Sequence, residues 1–122
     1  MKKKSEHQIQ VELMSWCALM VYKKVCPELR LIYAIPNGGH RHKLTGAKLK
    51  AEGVKAGVPD LCLPVARHGF HGMYLELKRD PKLKLSPKQK VWFQDLREQG
   101  YWCVKCGSFQ EAVQELSSYL GF

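Results

Sequence analysis

Residues 57–63 read Gly57-Val58-Pro59-Asp60-Leu61-Cys62-Leu63, and residues 73–78 read Met73-Tyr74-Leu75-Glu76-Leu77-Lys78. The turn-prone run Arg67-His68-Gly69-Phe70-His71-Gly72 lies between them. Two short runs rich in aliphatic and aromatic residues, separated by a segment that contains glycine, are typical of a β-hairpin. The sequence therefore predicts two paired strands, the first beginning at Asp60 and the second ending at Lys78.

The second strand places a carboxylate and an ammonium group on the same face. Residues two apart in a strand point the same way, so Glu76 and Lys78 share one face, together with Tyr74. The other face is apolar and consists of Met73, Leu75 and Leu77. If this apolar face packs on a helix, Glu76 and Lys78 project to the opposite, accessible side, close to Asp60. We therefore expect two carboxylates and a lysine to converge.

This set of side chains predicts a metal-dependent nuclease. Two carboxylates suit a hard divalent cation such as Mg²⁺, for which Mn²⁺ can substitute. A bound cation makes water more acidic and withdraws charge from a phosphate oxygen. A neighbouring lysine can orient the attacking water or stabilise negative charge on the phosphate. The plain alternative is a surface hairpin that carries Glu76 and Lys78 for solubility, since Glu-x-Lys is a common tripeptide.

The order Pro59-Asp60, then Glu76-x-Lys78, resembles the PD-(D/E)XK nuclease superfamily. The flanking runs at residues 53–61, 75–79, 85–89 and 100–101 look like its VRR-NUC branch, the virus-type replication-repair nuclease domain, in the stand-alone form of phages and bacteria. The resemblance extends from about Ser5 to Leu120. It implies one nuclease domain over residues 1–122, with the α/β fold of the restriction endonucleases: an α/β/α core in which helices flank a mixed central sheet.

The resemblance also assigns roles to residues near the hairpin. It implies that Asp60 and Glu76 bind the cation with help from the main-chain carbonyl of Leu77, and that Lys78 positions or activates water. A glutamine in the family reaches toward this hairpin and orders water or phosphate. Gln89 is the matching residue, and an exposed helix glutamine is the alternative.

A glutamate on the first helix completes the metal site in the family. We favour Glu6, which lies three residues before Ile9 on the predicted buried stripe, over Glu12, which is rotated away from that stripe. The alternative for Glu6 is that it merely complements the helix dipole.

Helical spacing and capping residues predict four helices. These span Glu6 to Val25, Lys43 to Glu52, about fourteen residues from Pro87, and a segment that begins after Ser108. Further strands are predicted from Arg30 to Ile35 and from Tyr101 to Lys105. The order of these elements independently favours an α/β sandwich with a mixed sheet.

The 122 residues carry a formal charge of +9, with a pI near 9.4, which predicts an anionic partner: nucleic acid or an acidic membrane surface. Residues 78–90 hold six Lys or Arg against one acid, and residues 37–57 hold five against one. Because most protein–DNA hydrogen bonds go to phosphate and sugar, we expect backbone contacts there. The candidates are Asn37, Arg41, Lys43, Lys55, Arg79, Lys82, Lys84 and Lys88.

The sequence gives little support for export, for a membrane span or for zinc. Glu6 and Glu12 interrupt the basic start of the chain, no signal-cleavage site follows, and no apolar run approaches the roughly 20 residues that cross a bilayer. Five cysteines at irregular spacing fit reduced thiols. We therefore expect a cytoplasmic protein, in a bacterium or a phage-infected host.

Four histidines could suggest zinc: His40, His42, His68 and His71. They have no recognised ligand spacing, and Cys103-x-x-Cys106 lacks a second cysteine pair.

The leading prediction is a Mg²⁺-dependent endonuclease that hydrolyses DNA phosphodiesters. The resemblance implies a preference for branched DNA, in the manner of a Holliday junction resolvase, because stand-alone VRR-NUC proteins are associated with junction resolution. Resolving a junction needs two nicks, so we expect a homodimer. Five aromatic residues either seal its interface or fill the core: Trp16, Trp92, Trp102, Tyr119 and Phe122. The alternatives are a non-catalytic DNA-binding protein, or a nuclease acting on RNA or on non-branched DNA.

Overall fold

The structure, a computed structural model, describes residues 3–37 and 43–122, with residues 43–45 described by their main chain alone. These residues form four helices and four strands, with one 3-10 turn after the first helix. In chain order they are α1 (Glu6–Tyr22), the 3-10 turn (Pro27–Leu31), β1 (Tyr33–Ala34), α2 (Lys43–Ala51), β2 (Leu61–Leu63), β3 (Met73–Leu77), α3 (Pro87–Glu98), β4 (Trp102–Cys106) and α4 (Phe109–Leu120).

The strands form one mixed sheet in the order β1-β2-β3-β4. β1, β2 and β3 pair antiparallel, and the predicted hairpin is confirmed, with Leu61 opposite Leu75 and Leu63 opposite Met73. β4 runs parallel to β3, because α3 carries the chain back to the starting end of the sheet. The predicted α/β fold with a mixed central sheet flanked by helices is therefore confirmed.

The main core lies between the apolar face of β3 and two helices. Met73, Leu75 and Leu77 are fully buried there. Their partners are Ile9, Leu13 and Cys17 of α1, and Ala112 and Leu116 of α4. α3 lies on the other side of the sheet, the side on which Glu76 and Lys78 stand.

The helix caps follow the predicted pattern, with one change. Ser5 and Gln8 form a full capping box at α1, as Ser86 and Gln89 do at α3. At α4 the Ser108 side chain accepts from the amide of Glu111, but the Glu111 carboxylate accepts from the amide of Gly107 rather than from Ser108. That contact ties the end of β4 to the first turn of α4.

The predicted first strand from Arg30 to Ile35 is mostly wrong. Pro27 favours the first position of a helical turn, and residues 27–31 form a 3-10 turn that buries Leu29. Only Tyr33–Ala34 pairs with β2. α1 also ends three residues earlier than predicted, where Lys24 adopts a left-handed conformation with φ of 61°.

All five cysteines are free and buried. Burial raises the pKa of the Cys17 and Cys106 thiols to about 12, which keeps both protonated. Cys103 and Cys106 are three apart on one strand, so their side chains point to opposite faces and cannot share a metal. No helix in the described part of the chain is long and apolar enough to span a membrane.

Candidate active site at the end of the hairpin

Asp60 is held where three strands meet. Its Oδ2 accepts a hydrogen bond of 2.7 Å from the main-chain amide of Leu77, at the end of β3. Its main-chain carbonyl accepts from the amide of Ile35, just after β1, at 2.8 Å. Pro59 before it is buried. The carboxylate is therefore fixed beside the last residues of β3, as the hairpin predicts.

Glu76 is buried, with only 3% of its surface exposed, so the expectation of an accessible side chain is wrong. The reason is that α3 covers this face of β3. Glu76 Oε2 accepts from Gln89 Nε2 at 3.3 Å, whereas Glu76 Oε1 is buried and has no partner among the described residues. A buried carboxylate oxygen without a donor is costly, which makes this atom conspicuous.

Lys78 completes a short network with the same glutamine. Its Nζ donates to Gln89 Oε1 at 3.0 Å and lies 3.9 Å from Glu76 Oε2. Gln89 Oε1 also accepts from the amide of Ser86 at 2.8 Å, in the capping box of α3. The helix cap therefore fixes the amide group that touches both Glu76 and Lys78. Gln89 is half-buried and faces the hairpin, so it is not the exposed helix glutamine of the alternative interpretation.

The loop before Asp60 packs directly on the first turns of α3. Gly57 has φ of 89°, and a β-carbon there would lie 2.8 Å from Lys88 Cβ and 3.0 Å from its main-chain carbon. Trp92 Nε1 donates to the carbonyl of Ala56 at 3.2 Å. These contacts set the distance between the Asp60 loop and the helix that carries Gln89.

Gly57→Ala is expected to destabilise the protein by about 2–4 kcal/mol, because it adds overpacking against Lys88 to a strained backbone conformation. Gly53→Ala is the matched control. Gly53 has φ of 103°, but nothing lies within 4 Å of the position that an alanine β-carbon would take there, so only the backbone strain of about 1–2 kcal/mol applies. Urea unfolding of both variants measures the difference. Equal destabilisation by the two substitutions would contradict the packing of the loop on the helix.

The two carboxyl groups perturb each other strongly. Burial, and next the charge of Asp60, raise the pKa of Glu76 from 4.5 to about 9. Burial also raises the pKa of Asp60, while the hydrogen bond from the Leu77 amide opposes that rise. The positive charge of Lys78 lowers both pKa values, but less than burial raises them. Without a cation, the site therefore favours a protonated Glu76.

Glu6 and Glu12 differ in their relation to this pair. The charge of Glu6 raises the pKa of both Asp60 and Glu76, whereas Glu12 forms an ion pair with Lys4 at 2.6 Å. Glu6 is exposed, so its expected place on a buried stripe is wrong: that stripe begins at Ile9. Across residues 3–37 and 43–122, no three His, Cys, Asp or Glu side chains gather closely enough to hold a metal ion.

The residues predicted to contact nucleic acid differ in their exposure to solvent. Lys55, Arg79, Lys82, Lys84 and Lys88 are exposed. Asn37 is half-buried, Lys43 begins α2, and Arg41 falls outside the described residues, as do His40 and His42. Of the other histidines, His68 hydrogen-bonds the carbonyl of Tyr119 and His71 packs on Tyr101, so neither approaches a metal cluster.

Lys105 is a further basic residue near the site, and the sequence did not indicate it. It stands opposite Glu76 in the β3–β4 register. Its Nζ donates to the carbonyls of Pro81 at 3.1 Å and Leu83 at 2.7 Å, which fixes the basic loop that follows Lys78. Lys105 is two residues after Cys103 in the predicted strand, so the two side chains share a face. That spacing was the only sequence signal that could have placed a lysine on the Glu76 face.

A mixed sheet that carries two carboxylates and a lysine at the end of a hairpin is typical of α/β nucleases. The family model of the VRR-NUC domain matches residues 3–110, and the chain belongs to that family. A solved structure titled "VRR_NUC domain protein" is similar, with 28% identity and a TM-score of 0.79 over 98% of this chain and 91% of that one. No curated protein matches the chain. Family membership implies nuclease activity on DNA.

Proposed function

We propose that this protein is a Mg²⁺-dependent endonuclease that hydrolyses phosphodiester bonds in branched DNA. The observation that carries the proposal is Glu76 Oε1, a buried carboxylate oxygen with no partner among the described residues, beside the half-buried carboxylate of Asp60. Mutual repulsion and burial make this pair unfavourable unless a proton or a cation is shared with it. A divalent cation satisfies both groups at once.

The residues present fit a magnesium ion. Mg²⁺ is commonly held by one or two carboxylates, with water and substrate phosphate filling its other positions, so Asp60 and Glu76 are sufficient without a third close side chain. The N–H and C=O of one strand residue point to the same side, and the Leu77 amide points at Asp60. This orientation supports the Leu77 carbonyl as a further ligand of the cation. The effect of the Glu6 charge on both carboxyl groups supports Glu6 as a more distant ligand.

A cation bound here would withdraw charge from a phosphate oxygen and make nearby water more acidic. The chain's own groups supply the rest. Lys78 is a compact charge that can orient water or stabilise the charge developing on the scissile phosphate. Gln89 holds Lys78 and Glu76 in a fixed relation through a single amide group, so neither side chain has to reorganise during the reaction.

The direct test compares plasmid, linear duplex, four-way junction and RNA substrates, each with Mg²⁺, Mn²⁺ or chelator. Nicking within circular DNA, absent in chelator, is expected, with the junction cut fastest. Cleavage that persists in chelator would contradict the role of the cation. Cleavage of RNA alone would show that the substrate is RNA and not DNA. Binding of DNA without cleavage would favour a non-catalytic DNA-binding protein.

We further propose a homodimer, because one chain supplies one acidic pair and a junction needs two symmetric nicks. Tyr119 is buried in the core, but Phe122, which stacks on Trp16, is 42% exposed, so this side chain can contribute to an interface. Sedimentation at micromolar concentration, combined with a junction labelled on each arm, tests both points. A monomer that cuts linear duplex as readily as the junction would overturn them.

Replacing Lys82, Lys84, Lys88 and Lys90 by alanine is expected to weaken duplex binding and to flatten its salt dependence. All four are exposed: Lys82 and Lys84 lie in the loop after β3, and Lys88 and Lys90 lie in the first turn of α3. Removing one phosphate contact reduces the slope of log affinity against log salt by about 0.9. Fluorescence anisotropy over a salt series measures the slope, with Lys23→Ala, just after α1, as the control. An unchanged slope would place the DNA track elsewhere, along residues 41–55.

A further inference from the structure

A basic groove runs along the outer edge of the sheet, between α3 and β4. It encloses about 410 Å³ and is lined chiefly by Lys84, Lys90, Phe93, Arg97, Trp102 and Lys105. An adjoining hollow of about 530 Å³ continues along α3. β4 is an edge strand of the sheet that the described residues form, so no other strand of that sheet covers this side. We propose that this edge groove binds a single-stranded segment of DNA that leaves the cleavage site, an inference that rests on the proposed function.

The charges in the edge groove select an anionic ligand. Four cationic side chains line it, and the adjoining hollow adds only one carboxylate, Glu98. Arg97 is fixed, because its Nη2 donates to the carbonyl of Cys103 at 3.0 Å and its guanidinium lies 5.2 Å from the centre of the Phe93 ring. A guanidinium has five N–H donors, so this fixed group can still bind a phosphate. Lys84 and Lys90 are exposed and can follow a phosphate backbone.

The aromatic residue at the far end selects unpaired bases. Trp102 is 39% exposed, and it is supported by Phe70, whose ring centre lies 5.2 Å away. An indole held in this way offers a rigid surface on which a base can stack. In a duplex the base faces are already covered by neighbouring bases. The combination of a cationic track with an exposed, supported tryptophan therefore fits single-stranded DNA better than duplex.

The geometry of the edge disfavours a protein strand as the ligand. Trp102 donates to Gly72 and Cys106 accepts from Lys78, so alternate residues of β4 turn their main chain toward β3. The outward groups are then those of Cys103 and Lys105. Arg97 already occupies the Cys103 carbonyl, and the Lys105 side chain holds the 81–83 loop beside this edge. An added strand would therefore lack the Cys103 carbonyl, which is one of the four outward N–H and C=O groups of these two residues.

The position of the edge groove links it to the candidate active site. Lys105 lies at the end of β4 that is in register with Glu76, roughly 4.8 Å away across one strand spacing. Trp102 lies at the other end of β4, opposite Met73. Lys105 lies on the Glu76 face of the sheet and Trp102 on the Met73 face, and both line the groove. A strand whose phosphate sits at the acidic pair can therefore pass Lys105 and cross the exposed edge of β4 to reach Trp102. Such a strand exists in DNA with a branch, flap or frayed end.

The test measures binding of a labelled ten-nucleotide oligo(dT) in chelator, where no cleavage occurs. Trp102→Ala is expected to weaken binding about tenfold, the effect of removing the stacking of one base. Tyr22→Ala is the matched control, because Tyr22 is an aromatic residue on α1 that is 84% exposed. An equal effect of the two substitutions, or no binding of oligo(dT) by the native protein, would overturn the proposal.

Lys84→Glu combined with Lys90→Glu tests the track without touching a buried side chain, so it serves even if Trp102→Ala does not fold. The expected result is weaker binding and a salt slope flatter by about 0.7 for each phosphate that is no longer bound. Lys23→Glu with Arg30→Glu gives the same change of charge on another part of the surface. Equal weakening by both pairs would show a net-charge effect and refute the edge groove. Oligo(dT) binding in this groove by a protein that cleaves no DNA would refute the proposed function alone.

Discussion

Glu76→Gln is expected to reduce cleavage of DNA roughly a hundredfold to a thousandfold, the usual effect of losing one group that stabilises charge in an active site. The substitution keeps the shape of the side chain and its contact with Gln89, but it removes a negative charge from the pair. Asp60→Asn should act in the same way. In chelator, DNA affinity should stay the same for Glu76→Gln, because the raised pKa keeps Glu76 uncharged there. It should stay the same or rise for Asp60→Asn, because that change can only remove repulsion toward phosphate.

Steady-state cleavage of junction DNA and anisotropy in chelator measure the two effects separately. Glu12→Gln is the matched control, because Glu12 is a carboxylate on α1 paired with Lys4 and should leave cleavage unchanged. Glu6→Gln should fall between the two if Glu6 is an outer ligand. Strong cation-dependent cleavage by both the Asp60 and the Glu76 variants would refute the candidate site.

Local patterns were enough to predict the hairpin and which side chains of its second strand share a face. The period of two along Met73–Leu77 separates the apolar face from the face of Glu76, whereas the register with Leu61–Leu63 is seen only in the structure. The serines at the starts of α1 and α3 predicted both helix N-termini, and the spacing of Ser5 and Gln8 predicted the capping box of α1. The capping box that Gln89 completes at α3 is seen only in the structure. The mixed order of the sheet followed from the alternation of elements.

What the sequence could not predict depends on contacts between distant elements. Glu76 is buried because α3 lies over it, and that position is set by Gly57 against Lys88 and by Trp92 bonding to Ala56. None of these contacts leaves a periodic signal. The same is true of Lys105, whose partners are main-chain carbonyls of the 81–83 loop.

The stability of the metal-free protein is expected to fall as pH rises from about 5 to about 9. In the folded state burial and the charge of Asp60 raise the pKa of Glu76 from its usual 4.5 to about 9. Below the usual value both folded and unfolded chains carry the proton, so the full stability is present. Above it the unfolded chain loses the proton freely while the folded chain does not, and stability is lost until pH passes the folded pKa. The raised pKa of Asp60 acts in the same direction.

Thermal melting in chelator at several pH values measures this loss, and comparison with Glu76→Gln isolates it from other titrating groups. The variant keeps its amide neutral at every pH, so its melting temperature should exceed that of the native protein by several degrees near pH 8 and by little near pH 5. Mg²⁺ should raise the melting temperature of the native protein most at high pH, where protons no longer compete for the carboxylates. Parallel pH profiles for the native and variant proteins in chelator would show that Glu76 ionises normally in the fold, and would remove the main electrostatic reason for a cation at this site.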